Sequence, residues 1–239
     1  MIGARIRNEG GSLVQIDPSY ENLAMKTYGS VTSAQYSPTG AGSNVGKATI
    51  IVSGCNQPIL AVYCDGAYVG VQSRSQSGST YTWEIVTSTP IIIVSYWIFD
   101  TTDVAQMQFS TTKGLRIRRE SDSKVIFDSR YKYMRIVASV NTASTSSSDF
   151  PIPLTSGYAI ALAYSGLYTV IAGGPQTPPS WMHNNAGYVG GFKANTNGTI
   201  SYALILVGST ITSGPSNEPP TGQMGNRDGV ALVLDMRNY

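Results

Sequence analysis

Residues 3–20 read GARIRNEGGSLVQIDPSY, and residues 114–131 read GLRIRRESDSKVIFDSRY. Aligned without a gap, Gly3, Arg5, Ile6, Arg7, Glu9, Ser12, Val14, Asp17 and Tyr20 coincide with Gly114, Arg116, Ile117, Arg118, Glu120, Ser123, Val125, Asp128 and Tyr131. Nine identities in eighteen positions stand far above the roughly one that ordinary composition provides. The chain therefore repeats itself. In the first copy Ala4 and Ile6 alternate with Arg5 and Arg7, a polar EGGS turn follows, and Val14 and Ile16 resume the apolar side; Leu115, Ile117, Val125 and Phe127 keep the same parity in the second. That pattern predicts a β-hairpin with one buried side in each copy. Asp17 and Asp128 fall where a carboxylate caps a turn, and Tyr20 and Tyr131 follow as amphipathic packing residues.

The resemblance between halves continues downstream. Residues 67–85 (AYVGVQSRSQSGSTYTWEI) line up with 187–205 (GYVGGFKANTNGTISYALI), sharing Tyr68/Tyr188, Val69/Val189, Gly70/Gly190, Gly78/Gly198 and Ile85/Ile205. VSYWIFD at 94–100 echoes VALVLD at 230–235. Period-two alternation, with 25 glycines and 12 prolines spread along the length, predicts an all-β protein. The expected architecture is two tandem, internally duplicated β-sandwich-like domains, 1–105 and 106–239, with the boundary inside TTDVAQMQFSTTK at 101–113. The second copy is expected to carry inserted polar loops at 141–149, 173–187 and 212–229, and loops on a rigid scaffold are where binding usually resides.

Charged residues are 13% of the chain and hydrophobic ones 41%, a balance that suits a surface packed against other proteins. The net charge of +2 is uneven: residues 1–103 carry 5 basic and 7 acidic groups, residues 104–239 carry 11 and 7. The start, MIGARIRNEGG, has no apolar stretch of the secretory kind, and the greasiest run, PIIIVSYWIF at 90–99, is half the length a spanning helix needs. A soluble protein without membrane insertion is expected. Cys55 and Cys64 would lie about 30 Å apart on a single strand, so only a chain reversal near Pro58 could pair them. Free thiols are the expectation.

No catalytic pattern emerges. The one histidine, His183, has no carboxylate beside it in sequence, and the nucleophile-elbow, zinc-protease, CxxC and phosphate-loop spacings are all missing. The chain is expected not to be an enzyme and to need no cofactor or metal. An acid pair of the glycosidase type could be assembled only in space. Two partner sites stand out instead. The basic hairpin offers Arg116, Arg118, Arg119, Lys124, Arg130 and Lys132, flanked by Lys113 and Arg135, against only Glu120, Asp122 and Asp128. It is either a grip for phosphates, of nucleic acid or of a lipopolysaccharide, or for an acidic neighbouring subunit, or else a solvated face with intrachain pairs. No aromatics interleave the arginines as a base-stacking platform requires, so nucleic acid is not expected. SWMHNN at 180–185 puts Trp181, His183 and Asn184 on an expected loop tip, either as a receptor contact or with the tryptophan tucked over the sandwich. NGT at 197–199 reads as a turn.

With LVQIDPSYENLAM at 13–25 and VIFDSRYKYM at 125–134, the chain resembles small β-rich proteins encoded in the tail gene cluster of tailed bacteriophages. The resemblance covers about 50 of the 239 residues. It implies a structural virion protein of the tail tip or fibre region, assembled in the host cytoplasm, contacting other tail subunits in copies set by three- or six-fold symmetry. It brings no catalytic residues. The alternative is a receptor-binding module for a bacterial surface glycan or pilus, acting through the second-domain loops. A duplicated docking unit would allow bridging or bivalent binding.

Overall fold

The computed structural model describes residues 4–7, 13–16, 22–38, 44–107, 113–142, 147–153, 156–164, 166–174, 181–214, 222–225, 228–237 and 239. Asp17 and Tyr20 lie outside them. The alternating segments form strands, and no helix occurs among the described residues. Before residue 106 the strands are β1 (Ala4–Arg7), β2 (Leu13–Ile16), β3 (Ala24–Thr32), β4 (Ala34–Tyr36), β5 (Val45–Val52), β6 (Ile59–Tyr63), β7 (Val69–Ser77), β8 (Thr80–Thr87) and β9 (Ile93–Asp100). After it come β10 (Arg116–Arg118), β11 (Val125–Asp128), β12 (Ile136–Asn141), β13 (Ser147–Pro151), β14 (Tyr158–Tyr164), β15 (Leu167–Gly174), β16 (Trp181–Ala194), β17 (Thr199–Gly214), β18 (Gly222–Gly225) and β19 (Val230–Asp235). The protein is all-β and sandwich-like.

The repeated stretch forms a hairpin in both copies. β1 pairs with β2, Ile6 opposite Val14; β10 pairs with β11, Ile117 opposite Phe127, with a bulge at Ile117/Arg118. Each hairpin is a two-stranded sheet apart from two larger ones. The six-stranded sheet runs β12-β19-β14-β6-β9-β3, and the nine-stranded sheet has β13-β17-β16-β7-β8-β5-β4 as its path, with β15 beside β16 and β18 beside β15. Exchanging β3, β6 and β9 for β12, β14 and β19 reads the first sheet backwards. Exchanging β5, β7 and β8 for β13, β16 and β17 does the same for six strands of the second, leaving β4, β15 and β18 without counterparts. Connections repeat at matching places as well. Ser33 N donates to Ile92 O (2.9 Å) while Ile92 N donates to Ser33 Oγ (3.0 Å); Thr142 N donates to Gly229 O (3.0 Å) while Gly229 N donates to Thr142 Oγ1 (2.7 Å).

The position between residues 105 and 106 falls between β9 and β10, and both sheets cross it. They cross narrowly. Val62 and Ala61 of β6 face Ile160 and Ala161 of β14, and Val69 of β7 faces Phe192 of β16. Close approach at the second crossing depends on glycine: a Cβ on Gly70 would sit 2.5 Å from the carbonyl oxygen of Gly190. Each unit fills its own interior. Ile50, Val62, Trp83, Ile85, Val94 and Ile98 cluster in the first, and Val140, Ile160, Phe192, Ile200, Tyr202 and Val233 in the second. Leu162 packs against both. Two further buried clusters span the units, Met25, Ala61 and Phe99 with Ala159, Ala161 and Leu234, and Val45 and Val86 with Val189, Ile205 and Val207, so the seam is itself a packed core.

Two sequence expectations are corrected. The downstream alignment is off by one residue in face, because Ile85 lies in the first interior whereas Ile205 lies with Val86 in a separate cluster. Val69 and Val189 part in the same way, so both strands of the aligned pair present opposite faces in the two copies. The described residues of the expected loops are largely strand: Asn141, residues 147–149, Gly173, Gly174, residues 181–187, residues 212–214 and residues 222–225 are all paired. Their polar side chains read as loop, yet a backbone ladder satisfies its N–H and C=O groups whatever the side chains are.

Candidate functional site

The tip of the basic hairpin is closed by Arg119 N donating to Lys124 O (2.8 Å) and Ser123 N to Arg119 O (2.9 Å), with Ser123 in the left-handed region at φ 59°. At its base Asp128 is fully buried. Its carboxylate accepts from Arg116 Nε at 2.7 Å and from Arg130 at Nε (2.8 Å), Nη2 (2.5 Å) and the backbone N (3.1 Å). The last is the turn cap expected of this residue. Above all the Arg130 side-chain bonds, then those of Arg116, hold the Asp128 carboxyl well below the usual carboxylate range against the opposing effect of burial. Phe127 stacks on Tyr133 at 5.1 Å, and burial pushes the Tyr133 phenol up to about 12.

These contacts sort the six cations. Arg116 and Arg130 hold the hairpin together. Arg118 donates to Ser123 O (2.8 Å) and is exposed, Arg119 pairs with Asp122 (3.1 Å), and Lys124 flanks the same tip. Lys132 lies 5.6 Å from the Tyr239 ring centre, which Arg135 also covers at 5.3 Å. Arg116 and Arg118 occupy alternate positions of one strand, but their guanidinium groups have separate tasks. The hairpin is anchored to the first unit: Thr102 Oγ1 donates to Val125 O (2.6 Å), Met25 N to Lys132 O (2.7 Å) and Met134 N to Leu23 O (2.9 Å).

Trp181, His183 and Asn184 are not on a loop tip. They belong to β16, where His183 faces Gly173 and Thr212, Asn184 faces Ala172 and Ile211, and Trp181 faces Gly214. Their side chains lie outside the described residues. Cys55 and Cys64 are free and buried, and burial pushes the Cys64 thiol up to about 11.

The fold assembles two clefts that sequence reading missed, one at each end of the seam between units. The first is polar, of about 570 Å³. It gathers Asp65 and Tyr68 from the β6–β7 connection, Asp149 from β13, Lys193 from β16, Asn195 and Asn197 from the β16–β17 turn, and Ser201 from β17. The groups are tied together. Ser201 Oγ donates to Asp149, Asn195 Nδ2 donates to Ser201 Oγ (2.6 Å) and Thr199 Oγ1 (2.9 Å), and Thr199 Oγ1 donates to Asn197 Oδ1 (2.7 Å). Lys193 Nζ sits 4.9 Å from the Tyr68 ring centre. Such residues, spread from 65 to 201, leave no sequence signal beyond the NGT turn, which the structure bears out with Gly198 at φ 76°. The second cleft, of about 400 Å³, is lined by Leu60, Val71, Trp83, Ala161 and Leu162 together with Gln72, Ser73 and Arg74. No group of three or more potential metal ligands occurs among the described residues. Neither known protein families, curated proteins nor solved structures yield a match to this chain.

Proposed function

We propose that this chain is a non-catalytic structural component of a bacteriophage tail, in the distal tip or fibre-attachment region, acting through contacts with other tail subunits. One observation carries the reading: two units of matching topology, each preceded by its own hairpin, are joined through both large sheets. Two like docking elements on one body suit a subunit that bridges neighbours in a ring. The likeness of residues 13–25 and 125–134 to tail-cluster proteins supports the same assignment. So do apolar side chains left largely in solvent on the first unit, Tyr28 (65% exposed), Ile51 (63%) and Ile93 (62%).

Mass spectrometry of purified virions tests the proposal, and absence of the protein from particles overturns it. Within it, the hairpin tip is assigned to an acidic neighbour. Reversing charge at Arg118 and Lys124 is expected to leave the isolated protein folded and to block its incorporation; normal incorporation shows the tip to be a solvated face. Arg116 is unsuited to that test, since a glutamate there would face the buried Asp128 carboxylate.

A second reading, recognition of a bacterial surface glycan, is favoured by the polar cleft, whose carboxylates, amides and tyrosine ring match what hydroxyl-rich ligands need. Binding to host polysaccharide that disappears in Asp149→Ala while Trp181→Ala retains it supports this reading. Shortened polysaccharide chains after incubation would overturn the non-catalytic assignment.

A further inference from the structure

The tip of the basic hairpin and the polar cleft carry opposite charge patterns. At the tip, Arg119 is held by Asp122, and the remaining charges are Arg118, Lys124 and, in the turn between them, Glu120. Arg118 and Glu120 are exposed. Arg118 places Nη1 on Ser123 O (2.8 Å), one of the five donors a guanidinium offers. The cleft holds the reverse set, the Asp65 and Asp149 carboxylates with the Lys193 ammonium. Both aspartates are exposed, and among the described residues none of these three charges enters an ion pair, whereas Asp122, Asp128 and Asp235 all have arginine partners. The cleft charges are nonetheless positioned, Asp149 by the Ser201 hydroxyl and Lys193 over the Tyr68 ring at 4.9 Å. Tip and cleft do not meet within one chain, since no hairpin residue lines the cleft. The hairpin is tied down at the Asp100 end of β9, through Thr102 Oγ1 on Val125 O (2.6 Å) and the bridge between Ala24 and Tyr133. Asp65 follows β6, antiparallel to β9, and so lies beyond the other end of that ladder.

We infer that the polar cleft receives the hairpin tip of a second copy of this chain, Arg118 and Lys124 meeting Asp65 and Asp149 while Glu120 meets Lys193. The inference rests on the assignment of the tip to an acidic neighbour and names that neighbour. The turn is preformed, closed by Arg119 N on Lys124 O and Ser123 N on Arg119 O, so docking it costs little ordering. Alternating signs also fix the register, because a shifted tip sets Glu120 against a carboxylate. The two surfaces differ, so the contact is head-to-tail and builds a ring or an open filament according to the rotation between copies.

Sedimentation velocity on the full chain tests this with wild type, a tip variant (Arg118→Asp with Lys124→Asp) and a cleft variant (Asp65→Lys with Asp149→Lys). Wild type is expected to associate as concentration rises, and to do so about tenfold more weakly at 1 M salt than at 0.1 M, where the screening length is about 10 Å rather than about 3 Å. Each variant alone is expected to stay monomeric. Their equimolar mixture is expected to associate again, because the cleft variant keeps a native tip and the tip variant a native cleft. Wild type that remains monomeric at millimolar concentration in low salt overturns the proposal. So does association that survives in the tip variant, or a mixture that stays monomeric while wild type associates. Should a reversal fail to fold, Arg118→Gln with Lys124→Gln and Asp65→Asn with Asp149→Asn remove the same charges and are expected to weaken association about tenfold, equivalent to about 1.4 kcal/mol. Self-association of a protein absent from virions refutes the tail assignment and upholds this contact; a monomer that is present in virions does the reverse.

Discussion

The two units end their last strand on the same residue in different company. Asp100, at the end of β9, is fully buried and accepts from three backbone amides, those of Asn56 (2.9 Å), Gln57 (2.8 Å) and Thr101 (2.7 Å). Asp235, at the end of β19, accepts from Arg237 at its backbone N, Nε and Nη2 (3.0 Å each) and has Arg135 at 3.7 Å. The first unit caps its strand with neutral dipoles and the second with cations. Equivalent positions in the strand order thus fix where a feature sits, and local residues decide its chemistry. The basic excess of residues 104–239 is partly explained here, because Arg116, Arg130, Arg135 and Arg237 serve the buried or nearly buried Asp128 and Asp235.

The comparison is tested most severely in the two interiors. Trp83→Ala in the first and Tyr202→Ala in the second are each expected to cost about 3–5 kcal/mol in urea denaturation, as truncated buried aromatics do. Trp83 and Tyr202 lie in different buried clusters, so the double variant is expected to lose close to the sum. Strong coupling between the two would mean that they act as one core.

Asp100→Ala is expected to be the next largest loss, about 2 kcal/mol, since it strands the buried amide of Thr101 and removes the acceptor of the Asn56 and Gln57 amides. Asp235→Ala removes an acceptor from two half-exposed arginines that water can serve instead. Its loss is expected to be less than half as large and to shrink further in salt, whereas the Asp100 loss stays constant. Equal losses in the same denaturation assay would break the contrast between dipole and cation caps.

Acid sharpens it. The arginines beside Asp128 and Asp235 lower both carboxyls below their ordinary value in the folded chain. Each therefore contributes stability that is fully present above the unfolded value of about 4 and is lost as pH falls from there toward the folded value. The stability gap between wild type and an Asp128→Asn/Asp235→Asn variant is expected to be constant from pH 7 to about pH 5 and to narrow below pH 4. A gap that widens on acidification would show that the pairing has the opposite sign.

The smallest effect concerns a turn of the first unit. Ile91 is 66% exposed and sits at φ 56°, a conformation that a β-branched residue adopts only under strain. Ile91→Gly relieves about 1–2 kcal/mol of that strain and adds about 0.5–1 kcal/mol of chain entropy to the unfolded state. A net gain of up to about 1 kcal/mol is expected in thermal unfolding, and a loss would show that the exposed isoleucine is held by contacts the turn depends on.

Much of the fold was legible in the sequence. The repeated RIR and VIFD/LVQI segments announced two hairpins, the alternation announced strands, and Asp128 was readable as a turn cap, because each of these depends on residues a few positions apart. Polar strands such as β18 and the first half of β16 were not legible, since their pairing rests on backbone groups common to every sequence. The opposite facing of Ile85 and Ile205 was hidden for a related reason, since residue identity alone does not report which face of a strand meets which core. The basic hairpin looked like one surface until Asp128 was seen to claim Arg116 and Arg130.

The sequence by itself determined the β class, the repeat and the hairpins, since periodicity and turn chemistry act locally along the chain. Only the tertiary structure decided that the units share both sheets, that Asp65, Asp149, Asn195 and Ser201 meet in one cleft, and that Gln72 reaches the seam beside Leu162. Those outcomes depend on which strand edges find each other across about a hundred residues of chain, a choice set by packing and backbone hydrogen bonding between segments with no local mark of their partner.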